Sequence, residues 1–84
     1  MRSNPDTREE ILKGIKMFYE GKTFVKTSWL LDRILEKPSC FPKITSYNNQ
    51  QSMLCQITLG FNEMGFEPQG GKRGGKVYVI RRDL

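Results

Sequence analysis

Ser46-Tyr47-Asn48-Asn49-Gln50-Gln51-Ser52 is an unbroken run of hydroxyl and amide side chains. A carboxamide carries a donor and an acceptor in one plane, which matches the N6 and N7 edge of adenine, while hydroxyls reach phosphate oxygens. Asn48, Asn49, Gln50 and Gln51 are therefore candidates for base contacts, and Ser46, Tyr47 and Ser52 for backbone contacts. A competing use is purely structural, with Asn48 and Asn49 capping a helix and the glutamines solvated. A second stretch, Gly70-Gly71-Lys72-Arg73-Gly74-Gly75, holds two cations between glycine pairs. With no neighbouring side chains in the way, Lys72 and Arg73 can come close to phosphates, and Lys76 and Arg81 extend the contact. Lys43, just before the amide run, is a further phosphate candidate, as are the amides that open the helix after it. The alternative is an ordinary turn kept soluble by its charge.

Other chemistry is poorly provided for. The chain has no histidine, no Gly-Lys-Ser/Thr phosphate loop and no nucleophile beside a base, so an enzyme is not expected. No helix follows the Gly-Gly-Lys-Arg-Gly-Gly stretch to turn it into a phosphate-binding loop. Cys40 and Cys55 are too few ligands for a zinc site, and no metal or other cofactor is implied. Free thiols are expected, with Cys55 acting as a small core hydrophobe.

Charge placement points the same way as the motifs. The net charge is +5 over 84 residues, yet residues 1–36 hold seven Lys/Arg against six Asp/Glu while 37–84 hold seven against three. There is no acid from Lys37 to Asn62, and five basic residues with no acidic one lie between Pro68 and Arg82. A one-sided positive field of this kind suits a surface that meets phosphates. There is no apolar run long enough to span a bilayer and no secretory leader pattern at the N-terminus, so a soluble intracellular protein with no membrane partner is expected.

These residues need a scaffold, and the hydrophobic spacing supplies one. The length allows a single domain, read here as residues 7–82 after a loose N-terminus at 1–6. Asp6 with Glu9, or Thr7 with Glu10, offers a capping box, and Ile11, Leu12, Ile15, Phe18 and Tyr19 recur at helical spacing up to Gly21, predicting a helix over about 7–20. Thr23-Phe24-Val25-Lys26 reads as a brief strand. Thr27 or Ser28 then caps a second helix carrying Trp29, Leu30, Leu31, Ile34 and Leu35 and ending at Lys37-Pro38. Ser39 to Thr45, with Pro42, reads as a loop from which Phe41 and Ile44 tuck against the core. A third helix is predicted from about Ser46–Asn48 to Glu63 on Met53, Ile57, Phe61 and Met64, with Gly60 marking a close backbone approach and Gly65 the stop. Phe66 to Arg82 reads as an antiparallel hairpin around the Gly-rich tip, with Val77 and Val79 on one face and Tyr78 and Ile80 on the other. Trp29, Phe18, Phe61 and Phe66 are assigned to the core.

Helix, short strand, helix, loop, helix, strand, basic Gly-rich turn, strand is an order that resembles the winged helix-turn-helix superfamily over about residues 7–82. The resemblance rests on that order, on a strand at Thr23–Lys26 placed to pair with the hairpin, and on a helix ending in Gly65-Phe66 that runs into a basic hairpin. It implies an α+β winged-helix fold of three helices, a short strand and a C-terminal wing. It further implies double-stranded DNA as partner, with the third helix in the major groove, the wing on the backbone, and a role in regulating transcription or replication. Phage and plasmid regulators have similar tails. The link from Glu36 to Ser46 is longer than the tight turn of the simplest helix-turn-helix units. A homodimer is also implied, although no extra helix or heptad seam is present to form it. A winged-helix module that holds a protein partner, such as a replication adaptor or an inhibitor of a nucleic-acid enzyme, is the main alternative, and single-stranded or RNA binding is a third.

Overall fold

Asn4 and Pro5 set the first helix. In the computed structural model, which describes residues 4–18, 23–69 and 77–80, the Asn4 side-chain oxygen accepts from the Asp6 amide at 2.9 Å. Pro5 takes the first helical position, where its missing N–H costs nothing. Helix α1 (Pro5–Phe18) thus begins two residues before Thr7, and neither Asp6 nor Thr7 is its cap. Thr7 and Glu10 instead join Ile11, Gly14 and Ile15 on the buried face. Tyr19 and Gly21, expected at its end, lie outside the described residues.

Strand β1 (Phe24–Lys26) leads directly into helix α2 (Thr27–Glu36). Its N-cap is Lys26, with extended backbone and no side-chain cap, so the expected capping by Thr27 or Ser28 does not occur. Thr27 is already inside the helix and fully buried. Leu30, Leu31 and Ile34 carry the helix face, and the Lys37 amide closes the last turn on the Ile34 carbonyl at 3.0 Å.

The segment read as a loop, Ser39 to Thr45, is mostly helical. A 3-10 turn (Pro38–Cys40) is followed by a four-residue helix α3 (Pro42–Thr45). Each proline sits in a first turn, where it pre-sets φ and loses no hydrogen bond, so the same residues that forbid a helix interior here start two short ones. Phe41 and Ile44 are fully buried, as expected of them.

Helix α4 (Gln50–Glu63) starts later than its predicted onset near Ser46–Asn48, because Asn49 is the cap and accepts from the Ser52 amide at 2.8 Å. It buries Met53, Ile57, Gly60 and Phe61. Gly60 is there for close approach: a Cβ at this position would overlap Ile11 Cδ1 of α1. Gly65, at φ +79°, ends the helix. The Gly65 amide bonds the Asn62 carbonyl and the Phe66 amide the Phe61 carbonyl, both at 3.1 Å, while the Phe61 and Phe66 rings meet edge-on at 4.9 Å. These are the two bonds and the apolar contact of a Schellman ending, and they aim the chain at the sheet.

Strand β2 (Val77–Val79) lies antiparallel to β1 in the register Phe24–Val79, Val25–Tyr78 and Lys26–Val77. On its other edge runs the chain leaving α4: Val79 donates to the Glu67 carbonyl at 2.9 Å and Gln69 to the Val77 carbonyl at 2.7 Å, with Pro68 opposite Tyr78. Tyr78 and Ile80 are buried and Val77 and Val79 half-buried, the predicted alternation. Among the described residues the architecture is α+β, four helices with an antiparallel sheet. One core holds it together: Ile11 and Ile15 from α1, Leu30 and Ile34 from α2, Phe41 and Ile44 from the connection, Ile57 and Phe61 from α4, and Tyr78 from β2. Phe18 and Trp29 pack on its margin, half-buried. No helix among the described residues is long and apolar enough to cross a membrane.

Candidate nucleic-acid interface

The amide run forms the bridge between α3 and α4 and the opening of α4. Ser46, Asn48, Asn49, Gln50 and Gln51 are exposed, whereas Ser52 is half-buried. Tyr47 is also half-buried and leans on the core, so only part of it is available to a ligand. The Ser46 hydroxyl donates to the Lys43 carbonyl at 2.7 Å. Asn49 turns its side-chain oxygen onto the Ser52 amide, which aims the carboxamide at its own helix, so presenting it to an adenine edge competes with the cap. The carboxamides projecting without that duty are those of Asn48, Gln50 and Gln51.

Glu10 positions this surface, a role its place in the sequence did not announce. From the buried side of α1 its carboxylate accepts from the Lys43 amide at 2.8 Å and the Ile44 amide at 2.9 Å, filling the orphan donors that open α3. Each bond to an ionised acceptor is stronger than a neutral one, and together they clamp the α3 backbone to α1. The Lys43 side chain meanwhile remains exposed at the mouth of the α3–α4 bridge. Lys13 adds a second tie, donating to the Cys40 carbonyl at 3.1 Å with its ammonium over the Phe41 ring. Proline at the first turn of Pro42-Lys43-Ile44-Thr45 was the available signal that a helix start, and so a capping partner, belonged there.

Along α4, Gln51, Cys55, Thr58 and Asn62 follow at spacings of four, three and four, opposite the buried Met53, Ile57, Gly60 and Phe61. Cys55 is exposed on this stripe and is not the core residue it was expected to be: its neighbour positions two back and two on face inward, and it cannot. No charged residue occurs from Ile44 to Asn62. The nearest acid, Glu63, is paired with Arg8 of α1 at 2.6 Å, beyond the end of the stripe.

The hairpin root stands beside the far end of the same helix. Tyr78 stacks on Phe61 at 4.7 Å and donates its hydroxyl to Asn62 Oδ1 at 2.8 Å. Burial pushes the Tyr78 hydroxyl above its ordinary pKa, with the Asn62 hydrogen bond pulling against it. The arms at 67–69 and 77–79 are thereby fixed to α4. Lys72, Arg73, Lys76 and Arg81, the cations expected on the hairpin, lie outside the described residues.

No family model matches the chain, and no curated protein or solved structure matches it.

Proposed function

We propose that this chain is a winged-helix domain that binds duplex DNA, with the opening turns of α4 in the major groove and the basic hairpin on the phosphate backbone. One observation carries the reading. β1 lies on one edge of β2 and residues 67–69 on the other, so the chain passes from α4 through Gly65 into a hairpin tied to that same helix. Such pairing is the arrangement that the winged-helix resemblance calls for, with α1, α2 and α4 as its three helices and α3 as an elaboration of the long turn. The exposed amides of Asn48, Gln50 and Gln51 and the exposed Lys43 support it chemically. A regulator of transcription or replication is the role that fits a small basic domain of this kind.

Mobility-shift titration against duplex DNA over a range of salt tests the proposal. Affinity is expected to fall steeply as salt rises, and Lys72→Ala with Arg73→Ala to flatten the slope by about one phosphate contact per residue removed. Failure to bind any duplex at low salt ends the reading. It would favour the protein-partner alternative, which has its own support: Phe24 is 50% exposed on the outer face of the sheet beside its cross-strand partner Val79.

A further inference from the structure

The neutral stripe of α4 narrows the kind of duplex the domain can read. In the major groove guanine shows two acceptors, best met by Arg or Lys; cytosine shows a donor amine, best met by Asp or Glu. Adenine shows an acceptor beside a donor, which a carboxamide matches at two points, and thymine adds a methyl group that takes apolar contact. From Ile44 to Asn62 the sequence contains neither a cation nor an acid. What the outward side of α4 does present is Gln51 at the opening turn, then Cys55 and the half-exposed Thr58 one and two turns on, while Gln50, exposed at the helix start, lies in line with the buried Met53 and Ile57, and Leu54 packs against the core. Asn62, at the far end, has its oxygen committed to Tyr78. The partners suited to guanine and cytosine are both missing, while those suited to adenine and thymine lie in succession along one side of the helix.

We infer that the major-groove surface of α4 selects A·T base pairs, with the Gln51 carboxamide on adenine and the Thr58 methyl group on thymine. This rests on the DNA-binding reading above. The affinity common to all sequences then comes from cations outside the stripe, and the discrimination from the stripe.

Duplexes of one length, differing only in a central block of A·T, G·C or inosine·cytosine pairs, separate the possibilities. An inosine·cytosine pair presents a G·C-like major groove but lacks the minor-groove amine, so there it resembles A·T. In mobility-shift titrations the A·T block is expected to bind more tightly than G·C, on the order of tenfold. Inosine·cytosine should be as weak as G·C, and replacing thymine by uracil, which removes the methyl, should weaken the A·T complex. Gln51→Ala, at an exposed position, should bring the A·T to G·C ratio toward one while leaving the salt slope and circular dichroism unchanged. Equal binding to all blocks, inosine·cytosine as tight as A·T, or a ratio unmoved by Gln51→Ala would each overturn the inference while leaving DNA binding intact. Binding to none of the duplexes would remove the DNA-binding reading as well.

Discussion

The Tyr78 hydroxyl donates to the Asn62 carboxamide oxygen at 2.8 Å, fastening the middle of β2 to the last turn of α4. The ring is fully buried and stacked on Phe61, so the hydroxyl is the polar tip of an otherwise apolar anchor. Tyr78→Phe keeps the packing and deletes the tip. Because Asn62 is exposed and can return its oxygen to water, the expected loss is small, about 0.5–1.5 kcal/mol. Chemical denaturation of the two proteins at neutral pH measures it.

The same hydroxyl makes a pH prediction. Its folded pKa is raised above the ordinary value of 10.0 by burial. A proton held more tightly in the folded state gives a contribution fully present below the unfolded pKa and lost as pH climbs through the folded one. The stability of the native protein should therefore fall above pH 10, and part of that fall should be missing from Tyr78→Phe. Parallel stability curves for the two proteins between pH 9 and 11 would contradict the assignment.

Glu10→Gln should loosen α3 specifically. The carboxylate serves two amides, those of Lys43 and Ile44, and a carboxamide can offer only one acceptor oxygen while turning a donor on the other N–H. Leaving one buried amide unpaired costs about 1–3 kcal/mol. Hydrogen exchange resolves the effect, since the amides of Lys43 and Ile44 should exchange faster while those in the interior of α2 hold their relative order.

How much of this was legible in the sequence follows from the range of the interactions concerned. Alternation in Val77-Tyr78-Val79-Ile80, the helical stripe of Met53, Ile57 and Phe61, and the stop at Gly65 are set by near neighbours, and each is found where its spacing placed it. Helix starts were harder. Asp6, Thr7, Thr27 and Ser28 are all good capping types, yet α1 is capped by Asn4 and α2 opens on Lys26 straight from a strand; only at α4 does an offered cap serve, Asn49 of the Asn48-Asn49 pair. A side chain caps only from a residue that is itself extended, and β1 feeding directly into α2 makes Lys26 that residue and leaves Thr27 already helical. Glu10 illustrates the remaining limit: its partners are 33 and 34 residues away, and no local pattern could separate it from an ordinary first-turn acid.

Gly60→Ala pits propensity against packing. In an open helix interior alanine would gain about 1 kcal/mol over glycine. Here the new methyl collides with Ile11 Cδ1, and overpacking of that kind costs about 1–3 kcal/mol, so the net change should be destabilising. Ile11→Val removes the colliding atom at the expense of a small void. The double variant should be more stable than the sum of the two single losses implies, and a thermodynamic cycle that closes additively would show that the two residues do not oppose each other as described.

Asn49 separates structural from recognition chemistry within the amide run. Its oxygen is held by the Ser52 amide, so turning the carboxamide onto an adenine edge competes with the cap. Asn49→Ala should lower stability by about 0.5–2 kcal/mol, whereas Asn49→Ser, which keeps a capping oxygen and loses the carboxamide, should stay near the native value. The paired expectation concerns binding: Asn49→Ser should hold duplex DNA as the native protein does, while Gln51→Ala, on the outward stripe of α4, should lose affinity for an A·T duplex with no change in stability. Thermal unfolding and mobility shift on the same preparations give both numbers. A large loss of binding in Asn49→Ser with the helix intact would mean that Asn49 reads bases directly, at the expense of its cap, and would move the centre of recognition from the flank of α4 to its tip.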